Sequence, residues 1–280
     1  MNLILQGLAP DRAAINRIAS IVHAERVIPI NAHAFRCEDV DVSDNLKKEV
    51  ETECLNEKLD CVFIEPGRRL ADFKLVAMDM DSTLITIECI DEIADMQGLK
   101  PQVAEITEAA MRGEIEFRES LTRRVALLKG LDADALQRVY DERLRLSPGA
   151  EPMLAAVQAA GLKTLLVSGG FTFFTDRIKQ RLGLDYTHSN LLEIKDGKLT
   201  GRVVGGIVDA DEKKATVERV CAELGTSPRQ TIVMGDGAND LKMMGIAGLS
   251  VAFRAKPVVR AQAHVALNFV GLDGILNLFD

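Results

Sequence analysis

From Phe73 onward, short unbroken apolar runs alternate with longer stretches in which apolar residues return every three or four positions. The runs at 74–78, 162–167, 231–234, 249–252 and 264–267 read as strands buried on both faces, and 149–160, 172–182, 212–224 and 240–247 read as the helices between them. That alternation predicts an α/β fold, a Rossmann-like core with a parallel sheet covered on both sides. Residues 86–147 break the rhythm. They are helical in pattern almost throughout, with charged faces such as 116–124, and predict a helical-bundle cap inserted after the first core strand. Asp196-Gly197, between Lys195 and Lys198, predicts a hairpin turn.

The first 70 residues follow a different order. An apolar strand at 3–5 precedes a helix over 11–24 with Ile15, Ile18, Ile21 and Val22 on one face, and a strand at 26–30 follows. A second helical stripe holds Leu46, Val50, Cys54 and Leu55; a strand at 60–64 then runs to the break at Pro66-Gly67. This strand-helix-strand-helix-strand order predicts a small α+β domain resembling an ACT-like ferredoxin fold. It reads either as a regulatory or dimerisation module, through which a homodimer would form, or as a packing appendage with no ligand. The predicted domains are 1–70 and 71–280, the latter divided into a core (71–85 and 148–280) and a cap (about 86–147).

Composition narrows the function classes. Thirty-four basic against 42 acidic side chains give a net charge of −8, so the chain lacks the global basic field of a nucleic-acid binder, and an anionic substrate would need a local cation. Five cysteines without a CxxC pair suit reduced thiols, and no apolar run approaches the ~18 residues of a membrane span. The first ten residues lack a basic leader. The expectation is a cytoplasmic protein with no membrane partner.

Three predicted strands end in polar clusters: Asp79-Met80-Asp81, Ser168-Gly169-Gly170, and Asp236-Gly237-Ala238-Asn239-Asp240. Ligands of open α/β sheets bind outside the carboxyl ends of the strands, so the clusters should converge on one crevice. Gathered carboxylates repel, and a hard divalent cation relieves them; Mg²⁺ suits a few carboxylates plus water and phosphate oxygens. Competing motifs fail by their letters: there is no GxGxxG, no GxxxxGK[ST], no GxSxG and no HExxH. The four histidines are scattered and read as structural or exposed.

The segments DMDST at 79–83, VSGG at 167–170, Lys213 and GDGAND at 235–240 resemble the four motifs of the haloacid dehalogenase-like phosphatases. Within the predicted cap, 88–92 and 123–129 resemble the branch of that family that hydrolyses O-phosphoserine to serine and phosphate, the last step of serine biosynthesis. The resemblance runs from about residue 72 to the C-terminus and does not cover 1–70.

That resemblance implies a small-molecule substrate, phosphoserine, and Asp79 as the nucleophile, forming an aspartyl-phosphate. Asp81 would be the general acid and then the base. It further implies Mg²⁺ held by the Asp79 carboxylate, the Asp81 backbone carbonyl and the Asp236 carboxylate, with Asp240 orienting them from behind. Lys213, in preference to its neighbour Lys214, would offset phosphate charge, and Ser168, Gly169 and Asn239 would bond the phosphoryl oxygens. In the cap, Glu88 would take the substrate ammonium and Arg124 its carboxylate, while Met111 and Phe117 would close the pocket. Two rivals stay open: a phosphotransferase moving the group to another alcohol such as homoserine, and a phosphoacceptor signalling module, which would have no use for a cap.

Overall fold

The structure, a computed structural model, describes residues 1–112 and 114–280, including the backbone but not the side chain of Met111. Strands β1 (Asn2–Gln6), β2 (Arg26–Asn31), β3 (Ala34–Glu38) and β4 (Asp60–Ile64) form an antiparallel sheet in the order β2-β3-β1-β4. Helices α1 (Arg12–Ile21) and α2 (Asp44–Asn56) complete a βαββαβ, ferredoxin-like arrangement. Asp11 starts α1 by accepting from the Ala13 and Ala14 amides, and Ser43 starts α2 by accepting from Leu46. Ile15 and Ile18 of α1 then pack with Leu3 and Leu5 of β1. The sequence pattern predicts three strands here; β3 is a fourth, and Leu55, placed by that pattern on the buried stripe of α2, is 60% exposed.

The face of this sheet away from its helices is also covered. Ile4, Val62 and Ile64 belong to the main core cluster with Phe73, Met78 and Ile275. Asp60, buried at the start of β4, stitches the two sheets together, since its carboxylate accepts from the amides of Asn268 (2.7 Å), Phe269 (3.0 Å) and Val270 (3.1 Å). Asp60→Ala is therefore expected to orphan three inward amides and lower stability by about 3 kcal/mol in urea titration, whereas a change under ~1 kcal/mol would show that water replaces the carboxylate.

The second sheet holds β5 (Leu75–Met78), β6 (Lys163–Phe171), β7 (Tyr186–Lys195), β8 (Lys198–Val204), β9 (Thr231–Gly235), β10 (Leu249–Phe253) and β11 (Val265–Leu267), in the order β11-β10-β9-β5-β6-β7-β8. It is parallel except at one edge, where β8 returns antiparallel to β7 through the Asp196-Gly197 turn. The central strands alternate cleanly: Met78, Leu166 and Met234 face one apolar cluster, and Ala77, Leu165 and Val233 face the other.

Helices α3 (Cys89–Asp95), α4 (Lys100–Met111), α5 (Phe117–Leu127) and α6 (Asp134–Arg138) lie between β5 and β6 in the chain as the cap. The chain enters and leaves this segment side by side: Ile85 bridges Leu146, the Thr86 amide donates to Arg145 O (2.9 Å), and the Ser147 amide donates to Leu84 O (2.9 Å). Helices α7 (Ala150–Ala159), α8 (Thr172–Leu182) and α9 (Ala210–Glu223) then cover the main sheet. Among the described residues, no helix is long and apolar enough to cross a membrane.

Candidate active site

Strands β9, β5 and β6 are neighbours, so Asp236, Asp79 and Ser168 emerge at the same sheet edge. After β5 the chain winds through a tight turn, Met80–Leu84, with Ser82 in the left-handed region (φ 55°). That turn carries Asp81 back towards β6, where Gly170 leaves room for it: a Cβ at Gly170 would stand 2.7 Å from Asp81 Oδ2 and 3.0 Å from Ser168 Oγ. A cleft of about 810 Å³ opens between this edge and the cap, lined among others by Asp79, Asp81, Glu88, Phe117, Arg124, Ser168, Gly169, Asp236 and Asn239. The side chain of Met111 lies outside the described residues.

Beneath the floor, Lys213 is fully buried, with its Nζ 2.8 Å from Asp79 Oδ1 and 2.7 Å from Asp240 Oδ1. Lys214, one helical step of about 100° away, pairs instead with Glu218 on the outside of α9. Burial alone would lower the Lys213 pKa, but Asp240 and Asp79 reverse that, and the ammonium is held above its usual value. Asp79 Oδ1 also accepts from the Met80 amide at 2.8 Å, while among the described residues Oδ2 has no hydrogen-bond partner. Asp240 is saturated: its Oδ2 accepts from the amides of Asp236 (3.2 Å) and Gly237 (3.0 Å), bracing the loop that follows β9. A Cβ at Gly235 would meet Asp240 at 2.4 Å, so this bracing needs glycine there.

Three carboxylates against one ammonium leave an excess of negative charge. Burial, then the Asp240 carboxylate, push Asp79 well above the usual carboxylate range and Asp236 up to about 7. Oxygens of Asp79, Asp236 and Asp240 lie within 4.8 Å of one another. Unmatched charge on hard oxygen donors fits a divalent cation. Because both Asp240 oxygens are engaged, Asp79 and Asp236 are the carboxylates available to hold one. Asp81 is pushed up to about 7 by burial and by the Glu88 carboxylate, while its Oδ1 accepts from the Cys89 amide at 3.2 Å. Ser168 Oγ accepts from the Gly170 amide at 2.8 Å, keeping its own proton free to donate.

On the cap side, Glu88 accepts from Ser82 Oγ at 2.6 Å and is pushed up by burial. Arg124, on α5, is pulled down by burial; its Nε is buried with no hydrogen-bond partner, and among the described residues no carboxylate lies within ion-pair distance of it. Sequence reasoning gave no role to several other charged cleft residues, among them Asp91, Lys256, Arg118 and Asp209. Arg118 Nε donates to Asp209 Oδ2 at 2.5 Å, joining cap to core across 91 residues of chain. Asp91 falls inside the 88–92 segment that carries the resemblance, whereas Lys256, Arg118 and Asp209 stand outside every motif, in ordinary charged stretches.

Comparison with known proteins agrees with this geometry. The sequence pattern of the haloacid dehalogenase-like hydrolases matches residues 73–248. A phosphoserine phosphatase of Polaromonas sp. is 62% identical over 218 residues, covering 76% of this chain and 92% of the relative. The crystal structure of a probable phosphoserine phosphatase from Vibrio cholerae superposes with a TM-score of 0.84 at 37% identity, covering 99% of this chain and 85% of that one. A substrate-bound phosphoserine phosphatase superposes with a TM-score of 0.70 at 38% identity, covering 74% of this chain and 99% of that one.

Proposed function

Since the chain belongs to the haloacid dehalogenase-like hydrolases, we propose that it hydrolyses O-phosphoserine to serine and phosphate at the cleft between cap and core, as a Mg²⁺-dependent phosphatase. The observation that carries the substrate is Arg124: a desolvated guanidinium without an ion-pair partner among the described residues, on the same cleft as Glu88, Asp79 and Asp81. A cation and an anion in that relation match a carboxylate and an ammonium on one small molecule whose phosphate reaches the sheet edge.

In this reading Asp79 Oδ2, the oxygen not engaged by Lys213 or the Met80 amide, attacks phosphorus in line and forms an aspartyl-phosphate. Asp81, its pKa raised to about 7 by burial and the Glu88 carboxylate, gives its proton to the departing serine oxygen and afterwards takes one from the attacking water. Ser168 Oγ, the Gly169 amide and Asn239 bond the phosphoryl oxygens, and Lys213 holds the Asp79 carboxylate in place while contributing positive charge. Asp79, Asp236 and the Asp81 carbonyl would hold Mg²⁺, which when bound neutralises charge between nucleophile and phosphate. Phe117, against Gly169, narrows the entrance.

Phosphate release from a panel of small phosphate esters, with Mg²⁺ and with chelator, tests the whole reading: phosphoserine should lead the panel, and chelation should stop turnover until Mg²⁺ is restored. Arg124→Ala should raise KM for phosphoserine on the order of 10²-fold while leaving p-nitrophenyl phosphate nearly unchanged. Equal losses on both esters would move Arg124 out of carboxylate recognition. Asp81→Asn should slow turnover ~10²–10⁴-fold, and an unaltered rate would remove it from proton transfer. For residues 1–70 the reading is a homodimer through the outer strand β2, whose Ile28 and Ile30 are 40% and 37% exposed. A monomer by light scattering would exclude it.

A further inference from the structure

Asn190 has no place in the mechanism above, yet it is a polar side chain only 1% exposed, on β7 beside the phosphate loop. Both ends of its amide are used. Nδ2 donates to the carbonyl of Gly169 at 2.8 Å, and Oδ1 accepts from the amide of Val208 at 2.9 Å. The partners fix the orientation of the amide, because a carbonyl needs a donor and an N–H needs an acceptor. They also belong to two different parts of the site. Gly169 lies in the irregular last part of β6, where the register with β7 shifts between Val167 and Phe171. Val208 is the last residue before Asp209, which starts α9 by accepting from the Asp211 and Glu212 amides at 3.1 and 3.0 Å and, through its carbonyl, from the Lys213 amide at 2.9 Å.

We infer that Asn190 is a positioning residue of the phosphate site, tying the Ser168-Gly169 end of β6 to the start of α9 so that Gly169 and Lys213 meet the phosphoryl group as one preset unit. The two segments are 39 positions apart in sequence and share no strand pairing, so nothing else in the sheet ladder sets their spacing. The surroundings leave little slack: a Cβ at Gly169 would stand 3.1 Å from Phe117 Cζ and 3.6 Å from the Val208 carbonyl. Asparagine can satisfy both segments at once, whereas a carboxylate could only accept and an aliphatic side chain could do neither. Rates of positioned reactions fall about 10²-fold for displacements near 1 Å, so loss of this tie should reach the chemistry even though Asn190 touches no substrate.

The inference rests on the phosphatase reading but not on the choice of ester, and the test separates the two. Asn190→Ala and Asn190→Asp in the full chain would be checked by circular dichroism and assayed with phosphoserine and with p-nitrophenyl phosphate. Binding of inorganic phosphate would be measured by calorimetry. The expected result is a fall in kcat/KM of about 10- to 100-fold, equal on both esters, with phosphate affinity lowered at least fivefold. Asn190→Asp keeps the acceptor for Val208 but sets a buried carboxylate against the Gly169 carbonyl and the phosphate, so it should lose at least as much as Asn190→Ala on phosphate binding. Folded variants with a lower unfolding midpoint but unchanged kcat and phosphate affinity would overturn the inference, as would a loss confined to phosphoserine. Failure of both variants to fold would also overturn it, in favour of a purely structural role. A wild-type protein active on p-nitrophenyl phosphate but not on phosphoserine would refute the substrate and leave this inference standing.

Discussion

Asp79→Asn is expected to remove turnover almost completely, by roughly 10³-fold or more, because an amide is a poor nucleophile and no second carboxylate can take its place. Asp236 and Asp240 are the nearest acids, and neither stands in for Asp79: Asp240 is locked by Lys213 and two amides, and Asp236, at the end of the neighbouring strand β9, is the carboxylate left to hold a cation. The substitution keeps the shape of the side chain and the Oδ1 acceptor for Met80, so the fold should survive it. Rapid acid quenching with labelled phosphoserine reads the covalent intermediate directly. It should vanish in the variant, and activity within tenfold of wild type would overturn the assignment.

Lys213→Met should cost both stability and activity. The ammonium is wholly enclosed and is the shared partner of Asp79 and Asp240, so deleting it strands two buried carboxylates. Breaking a buried pair in this way typically costs about 3–5 kcal/mol, far more than an exposed pair would. Urea unfolding measures the first effect. Turnover at a denaturant-free temperature well below the midpoint measures the second, which should fall at least 10²-fold by loss of oriented positive charge. The neighbouring control, Lys214→Met, removes only an exposed pair with Glu218 and should leave both nearly unchanged. If Lys214→Met cost as much as Lys213→Met, buried charge could not be the cause.

The legible parts of this chain were those with local signatures. Buried parallel strands appear as uninterrupted aliphatic runs, and each motif residue stands where such a run stops, so the convergence of Asp79, Ser168 and Asp236 could be read from order alone. Strand β3 could not. Its alternation is Phe35 and Cys37 towards the helices against half-buried Arg36 and Glu38 on the other face, over five residues, and so short a half-polar run carries little weight against loop. Arg36 is spoken for by distant partners, Asp280 and the Phe279 carbonyl, which no local pattern encodes. The same holds for Arg118 with Asp209 and for Asn190 with Gly169 and Val208. Pairings made across a crossover connection depend on tertiary placement, and a lone polar letter looks the same whether it is solvated or tied down. Leu55 shows the converse error, an apolar letter at helical spacing that falls just beyond the buried arc.

The short ladder at the neck of the cap, where Ile85 faces Leu146, has an evolutionary meaning. Its two ends sit shoulder to shoulder, so the intervening segment is a cassette plugged into one socket. Exchanging that cassette would remove no strand from the main sheet and would leave Asp79, Asp81, Ser168, Lys213 and Asp236 in place. It would take away Glu88, Phe117 and Arg124 together. On the proposed roles of these residues, recognition of the alcohol half of an ester and cleavage of its phosphate half would be inherited separately, and a lineage could acquire a new substrate by recombination at this neck without relearning the chemistry.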